Sequence, residues 1–305
     1  MRVLVTGGAG FIGSHVVDAY LAAGWDVAIV DTLATGLAEN VDPRARLYQV
    51  DVASPAVAEV FEQERPEILN HHAAQASVAV SVKQPMEDFR VNALGAVNLL
   101  QHALRTGVRK VVYASTGGAL YGEPERIPAD EDHPVRPLSP YGASKFVGEL
   151  YLGLYRRLWG LRSFILRYAN VYGPRQDPHG EAGVVAIFAE AMLAGHAPTI
   201  FGDGGQTRDF VYVGDVARAN LLATQTEAEG VVNIGTGVET SVNEIHRRVA
   251  VLTKHAAAPV HGPPREGDVY RIALDPTRAE RALGWRPQVD LQTGLAQTAE
   301  WFRAR

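Results

Sequence analysis

Apolar residues in the first half of the chain come in short unbroken runs, not in alternation with polar ones. Val3–Thr6, Asp26–Asp31, Arg46–Val50, Ile68–His71, Lys110–Ala114 and Arg162–Arg167 are each rich in Val, Ile, Leu or Tyr. Such runs read as strands, and strands without alternation are covered on both faces. Between them the apolar spacing turns helical over Phe11–Ala23, Pro55–Gln63, Met86–Thr106 and Ser144–Trp159. Gly24 and Gly107 stand where the first and third of these helices should stop. Strands alternating with helices predict an α/β fold, a doubly wound parallel sheet. Past Tyr168 the pattern changes: Pro and Gly crowd NVYGPRQDPHGEAG and IFGDGGQTRDF, and longer loops separate helices such as Val184–Ala194 and Val242–Leu252. The expected division is a larger domain over 1–169 and a smaller α/β domain over 170–305, with the chain re-entering the first near 208–234.

Composition narrows the class. The 305 residues suffice for a large core, and 47% hydrophobic with 21% charged residues fits a globular protein. A formal charge of -5 gives no reason to expect nucleic acid or an anionic membrane as partner. The chain has no Cys, which excludes disulfides and thiolate metal sites and fits a cytoplasmic protein. No run approaches the roughly 18 apolar residues of a spanning helix. The start, MRVLVTGGAG, turns glycine-rich too soon for a signal peptide.

The first chemistry lies in the turn after the first strand. VLVTGGAGFIG places Gly7, Gly10 and Gly13 three apart between a strand and an amphipathic helix. The first glycine permits the tight turn, the second lets backbone approach a pyrophosphate, and the third lets the helix pack on the strand with its amides toward the phosphates. Asp31 ends the second strand 18 residues after Gly13, placed to accept both ribose hydroxyls and to repel a 2′-phosphate. That combination points to a Rossmann-type site for NAD over NADP; alone, Asp31 would read as a cap on the turn DTLATG. Asp51 and Val52 are placed to flank an adenine, and Ala73 and Ala74 are small enough to pass beneath the cofactor. His71 and His72 lack the further ligands a metal site requires, so no metal is expected.

In SPYGASK, Tyr141 and Lys145 are four apart, one turn apart on one helix face. A phenol of pKa about 10 is a poor base at neutral pH. A neighbouring ammonium and a positively charged nicotinamide favour the phenolate and can poise it as a general base. Ser115 and Thr116 end the fifth strand, Thr116 lying 25 residues before Tyr141.

Gly7/Gly10/Gly13, Asp31, Ser115-Thr116, Tyr141-x-x-x-Lys145, LRYANVYGPRQ and TRDFVYVGDVARA together resemble the extended short-chain dehydrogenase/reductase family, and within it the nucleotide-sugar 4-epimerases. The resemblance runs essentially end to end. It implies NAD-dependent epimerisation at C4 of a UDP-sugar of the UDP-glucose/UDP-galactose type through a transient 4-keto sugar. Tyr141 would take the proton of the 4-hydroxyl while hydride passes from C4 to NAD. Lys145 would bind the nicotinamide ribose and lower the tyrosine pKa, and Thr116 would hold the 4-oxygen. Hydride returned to the opposite face regenerates NAD, which stays bound. The resemblance carries over Phe11, Ile12, Asn92 and Tyr168 as further cofactor contacts. As substrate contacts it gives Arg208 and Arg265 on the diphosphate, Asn170 at the sugar-phosphate end, Asp268 on the nucleoside ribose and Phe201 near the uracil. Gln176, Asp177 and His179 would line the sugar pocket. Ile272, four after Asp268, is smaller than the tyrosine of restrictive members and implies room for an N-acetyl group. The family dimer bundle would use Met86–Thr106 and Ser144–Trp159, where Leu150, Leu154 and Leu158 form an apolar stripe, so a homodimer is expected.

Two other readings compete: a 4,6-dehydratase or uronate decarboxylase on the same scaffold, and a non-catalytic NAD-binding regulatory protein. The first needs acids or bases where this chain has Gly117, Gly118, Ala119 and Leu120. The second does not require Thr116, Tyr141 and Lys145 together. Counting forward along the strand makes Thr116 the catalytic hydroxyl, with Ser115 the alternative. The glycine pair is expected to leave space for a turning 4-keto sugar.

Overall fold

The computed structural model describes residues 1–179, 183–264 and 269–305. Six strands are laid down in sequence: β1 (Arg2–Thr6), β2 (Asp26–Asp31), β3 (Arg46–Gln49), β4 (Ile68–His71), β5 (Lys110–Thr116) and β6 (Arg162–Tyr168). Outside them lie β7 (Asn170–Tyr172), β8 (Thr199–Phe201), β9 (Thr207–Arg208) and β10 (Phe210–Tyr212), before β11 (Gly230–Ile234) returns to pair with β6. The sheet is parallel throughout, in the order β3-β2-β1-β4-β5-β6-β11. β12 (Thr240–Ser241) pairs with β9 and β13 (Val260–Gly262) with β8.

Side chains alternate across this sheet, so each strand feeds two cores. Val3, Val5, Val27, Ile29 and Ile68 pack on one face against Val16, Val17 and Tyr20 of α1 (Phe11–Ala22). Leu4, Val30, Leu69 and Val111 face the other way. They meet α2 (Val57–Glu64) and two helices further along the chain, through Phe61, Leu99 and Leu152. A one-residue slip would exchange the two sets, so the register is strongly specified. A separate cluster built from Tyr172, Phe188, Ile200, Phe210, Ile245 and Leu295 belongs to the later segments.

The chain is helical throughout the expected helix Met86–Thr106, but a π-helical turn divides it. After α3 (Val78–Lys83) come α4 (Pro85–Phe89), a π-helical turn over Arg90–Leu94, and α5 (Gly95–Thr106). Tertiary contacts meet at the π-helical turn: buried Asn92 reaches back to the Gln75 backbone, and a Cβ on Gly95 would lie 2.9 Å from Val52 Cγ2. β5 runs two residues past the apolar run Lys110–Ala114, to Thr116, whose hydroxyl caps α6 (Gly117–Leu120) by accepting from Ala119 N at 3.2 Å. α7 (Pro140–Trp159) starts earlier than Ser144, with Ser139 as its cap and Pro140 in its first turn. The remaining helices are α8 (Val184–Leu193), α9 (Val213–Gln225), α10 (Val242–Thr253), α11 (Thr277–Leu283) and α12 (Leu291–Arg303). Among the described residues no helix is long and apolar enough to cross a membrane.

Strand order reverses between β1 and β4, so the loops after them diverge and leave a crevice at their carboxyl ends.

Candidate active site

The loop after β1 lets a ligand approach backbone. Gly7 adopts φ +71°, and a Cβ there would lie 2.6 Å from Ala73 N; one on Gly13 would lie 2.0 Å from Gly7 O. Both glycines are therefore required by the chain's own packing. Gly10 differs, since a Cβ on it would meet only Gly7 O, at 3.3 Å, and would otherwise fill open space. That space is a cavity of about 680 Å³ lined by Gly7, Gly10, Phe11, Ile12 and Gly13, and it extends to Tyr141 and Lys145. Asp31 lies on its wall, with Oδ2 accepting from Ala9 N and Oδ1 from Leu33 N, both at 2.9 Å. The second bond is the cap on the DTLATG turn, and it coexists with exposure to the cavity. Two backbone amides fix the carboxylate without exhausting its lone pairs.

Asp51 and Val52 line the far end, where Asp51 pairs with Arg90 at 2.7 Å. Ala73 and Ala74 line the wall after β4, with Ala73 N donating to Thr6 Oγ1 at 3.2 Å. Tyr168 also faces the cavity, its hydroxyl accepting from Asn220 Nδ2 at 2.8 Å. Asn92 does not line the cavity. Its amide donates to Gln75 O, Asp88 Oδ1 and Ser144 Oγ and accepts from Gln75 N, so it props up the Gln75 wall from behind.

At the other end, Tyr141 stands in the first turn of α7 and hydrogen-bonds the Thr116 hydroxyl. Burial pushes the Tyr141 phenol up to about 12, the Asp88 carboxylate adds to the rise, and the Thr116 bond opposes it. The resemblance makes Lys145 the group that lowers this phenol. Its ammonium instead stands 4.5 Å over the ring of Tyr113, whose hydroxyl donates to Lys145 O at 3.1 Å. Burial lowers Lys145 to about 8, against the opposing charges of Glu149 and Asp88. Strand alternation separates the two candidate hydroxyls. Ser115 Oγ points to Glu149 Oε1 at 2.5 Å, in a buried network with Arg167, while Thr116 faces Tyr141.

The glycine pair divides in the same way. A Cβ on Gly117 would lie 2.3 Å from Leu274 Cδ1, whereas one on Gly118 would lie 3.6 Å from Asn170 Oδ1 and 3.9 Å from Thr116 Oγ1. Only Gly118 therefore borders the space beside Thr116, and Gly117 is bare because Leu274 packs on it.

Of the expected substrate contacts, Asn170 opens β7, its backbone N–H donating to Asp209 O at 2.8 Å. Arg208 precedes Asp209 in β9 and donates to Thr207 O at 2.8 Å. Phe201 ends β8, and its carbonyl accepts from Gln206. Arg265 and Asp268 lie outside the described residues. Asp177 lines the cavity, Gln176 is buried with its amide on Val171 O, and His179 is exposed. Ile272 is 1% exposed in the cluster that holds Tyr121 and Leu274.

Residues 3–235 match the model of the NAD dependent epimerase/dehydratase family. The chain belongs to this family. A UDP-glucose 4-epimerase of Mycolicibacterium smegmatis is 48% identical over 309 residues, covering 99% of each chain. A UDP-glucose 4-epimerase from Thermotoga maritima, solved with UDP-glucose, matches with a TM-score of 0.98 at 49% identity over 100% of this chain and 99% of its own. One from Thermus thermophilus, solved with NAD, gives 0.95 at 51% identity over 99% of each. NAD is the cofactor of the epimerase/dehydratase family, and the open face of Gly10 and the two-oxygen edge of Asp31 in one large cavity fit it.

For a member of that family, sequence reasoning missed several groups around the site. Tyr113 and Gly148 form one device, since a Cβ on Gly148 would strike Tyr113 Oη at 2.2 Å. Asp88 is 1% exposed and its Oδ2 has no hydrogen-bond partner, although its charge acts on both Tyr141 and Lys145. Asp209 is buried and gathers the amides of Thr236, Gly237 and Leu274 behind Asn170. Glu149 had a readable signal, one turn beyond Lys145; the others depend on tertiary placement.

Proposed function

We propose that the protein interconverts UDP-glucose and UDP-galactose by NAD-dependent epimerisation at C4. The observation that carries this reading is that Tyr141 and Lys145 line one end of a dinucleotide cavity together with Ser115, while Thr116, itself outside the lining, hydrogen-bonds Tyr141 beside Gly118, which offers no acid or base. Gly7, Gly10, Gly13, Phe11, Ile12, Asp31, Asp51, Val52, Ala73, Ala74 and Tyr168 would hold the NAD. Bound there, NAD supplies reversible hydride acceptance. Tyr141 takes the proton of the sugar 4-hydroxyl during oxidation and returns it to the same oxygen during reduction, so no proton is lost over a cycle. Thr116 keeps that oxygen within reach of the phenol, and Lys145 holds positive charge close by. Asn170, Arg208, Phe201, Arg265 and Asp268 are the residues we assign to the UDP-sugar, Arg being suited to a diphosphate by its fork of donors.

The later cluster around Phe188 supports a division into a cofactor domain and a sugar-nucleotide domain near residue 170, with β11 returned to the first. The exposed stripe Leu150, Leu154 and Leu158 supports a homodimer. The cytoplasm is the compartment the reading implies.

The test supplies UDP-galactose and follows UDP-glucose formation with NAD present. Tyr141→Phe should lower turnover by roughly 10²–10⁴-fold with little change in thermal stability. Running UDP-GlcNAc alongside reads whether Ile272 admits an N-acetyl group. Turnover by Tyr141→Phe at the parent rate would overturn the mechanism. Accumulation of a 4-keto-6-deoxy sugar, or release of carbon dioxide from a UDP-uronate, would favour the dehydratase or decarboxylase.

A further inference from the structure

Arg175 is in the left-handed region at φ 67°, a conformation that is strained for a side-chain-bearing residue. Such strain persists only where surrounding contacts over-determine it, and here they come from one face of α1. His15 Nε2 bonds Pro174 O at 2.9 Å, and Asp18 Oδ2 forms an ion pair with Arg175 Nη1 at 2.7 Å. Phe11, one turn before His15, meets the His15 ring edge-on and itself lines the cofactor cavity. Positions 11, 15 and 18 follow helical spacing, so α1 grips the loop after β7 along a single stripe.

Arg175 lines the same cavity as the glycine loop. The cations among the described lining residues are Arg90, Lys145 and Arg175. Arg90 is held by Asp51 and Glu87, each at 2.7 Å, and Lys145 stands over Tyr113 beside the catalytic phenol. Arg175 alone of these three is anchored to the helix whose N-terminus faces the pyrophosphate position. Its Nη1, though close to Asp18, has no aligned hydrogen-bond partner. A half-exposed ion pair of this kind adds little stability, so its consequence is orientation of the guanidinium. Asp177, the acidic neighbour on the wall, is turned into its own loop and accepts from His179 N at 2.9 Å.

We propose that Arg175, set by Asp18 and His15, is a clasp on the NAD pyrophosphate that slows cofactor release. The proposal rests on NAD occupying this cavity. A reaction that consumes no net NAD benefits from a cofactor that does not leave, and the clasp comes from the loop that follows Asn170.

The test loads the protein with NAD, dilutes it into nucleotide-free buffer and follows cofactor loss. Arg175→Gly keeps the left-handed backbone unstrained and Arg175→Ala removes the same charge; both should release NAD about tenfold faster or more. ADP-ribose and adenosine serve as competitors. The variants should bind ADP-ribose about tenfold more weakly and adenosine within about twofold of the parent, since only the former carries the pyrophosphate. Unchanged NAD release, or equal weakening of ADP-ribose and adenosine, would overturn the clasp and leave Arg175 a purely structural tie. Failure of the unsubstituted protein to retain NAD would instead remove the cofactor assignment on which the clasp rests.

Discussion

In the role proposed for it, Lys145 would trade stability for chemistry. Burial lowers its ammonium from 10.5 to about 8, so the folded chain disfavours the charge although Asp88 and Glu149 oppose that effect. Below pH 8 the lysine is charged in both folded and unfolded chains, and the full burial cost is present. Between about 8 and 10.5 the folded chain has released the proton while the unfolded chain still holds it, so this residue's contribution to stability rises with pH. Lys145→Met should therefore raise the thermal midpoint of the cofactor-free protein at pH 7 by about 2–4 °C while abolishing epimerisation. The advantage should shrink as pH climbs through that window. Calorimetry across pH checks this, and a Met variant less stable than the parent at pH 7 would show that the Tyr113 ring compensates the burial.

At the scale of elements, α6 separates two glycines that look equivalent in sequence. Gly117→Ala drives a methyl into Leu274, with 2.3 Å to Cδ1, and should cost about 1–3 kcal/mol in denaturant unfolding. Gly118→Ala has room, gains helix propensity and should leave stability unchanged or slightly higher. Its methyl enters the space between Thr116 and Asn170, so turnover should fall by about tenfold; equal turnover by this variant would show that the sugar does not pass there. The expectation that both glycines serve the sugar fails at Gly117, because burial against Leu274 cannot be read from local sequence. The same limit recurs elsewhere. β2 and β4 were legible to the residue because they are buried runs bounded by turns. The π-helical turn was not, since it lies where Asn92 and Gly95 meet Gln75 and Val52 across the fold. Tyr141 and Lys145 were legible as a one-turn helical spacing, whereas Tyr113, Asp88 and Arg175 act through contacts between elements remote in sequence.

At the scale of the whole molecule, the proposed dimer would link the outer side of α7 to the site. Its first turns carry Tyr141 and Lys145, and its later turns expose Leu150 by 52%, Leu154 by 37% and Leu158 by 64%. Met86, Phe89 and Leu94 of the adjoining α4 and π-helical turn are 79%, 51% and 50% exposed. Single exposed leucines need no explanation, but a set shared by packed neighbouring elements is the apolar face that the proposed dimer would cover. The two sides of that face touch the site differently: α7 bears Tyr141, the proposed base, while Glu87 and Arg90 of the neighbouring segment line the cofactor cavity. A second copy covering the face would hold both against each other. Leu154→Glu with Leu158→Glu places two charges where the dimer would bury apolar surface, and should give a monomer in sedimentation at micromolar concentration. If the face also steadies the site, that monomer should retain its far-ultraviolet circular dichroism yet bind NAD more weakly, with affinity recovering in no concentration range. A double variant that remains dimeric would place the interface elsewhere, and a monomer with parental NAD affinity would separate assembly from cofactor binding.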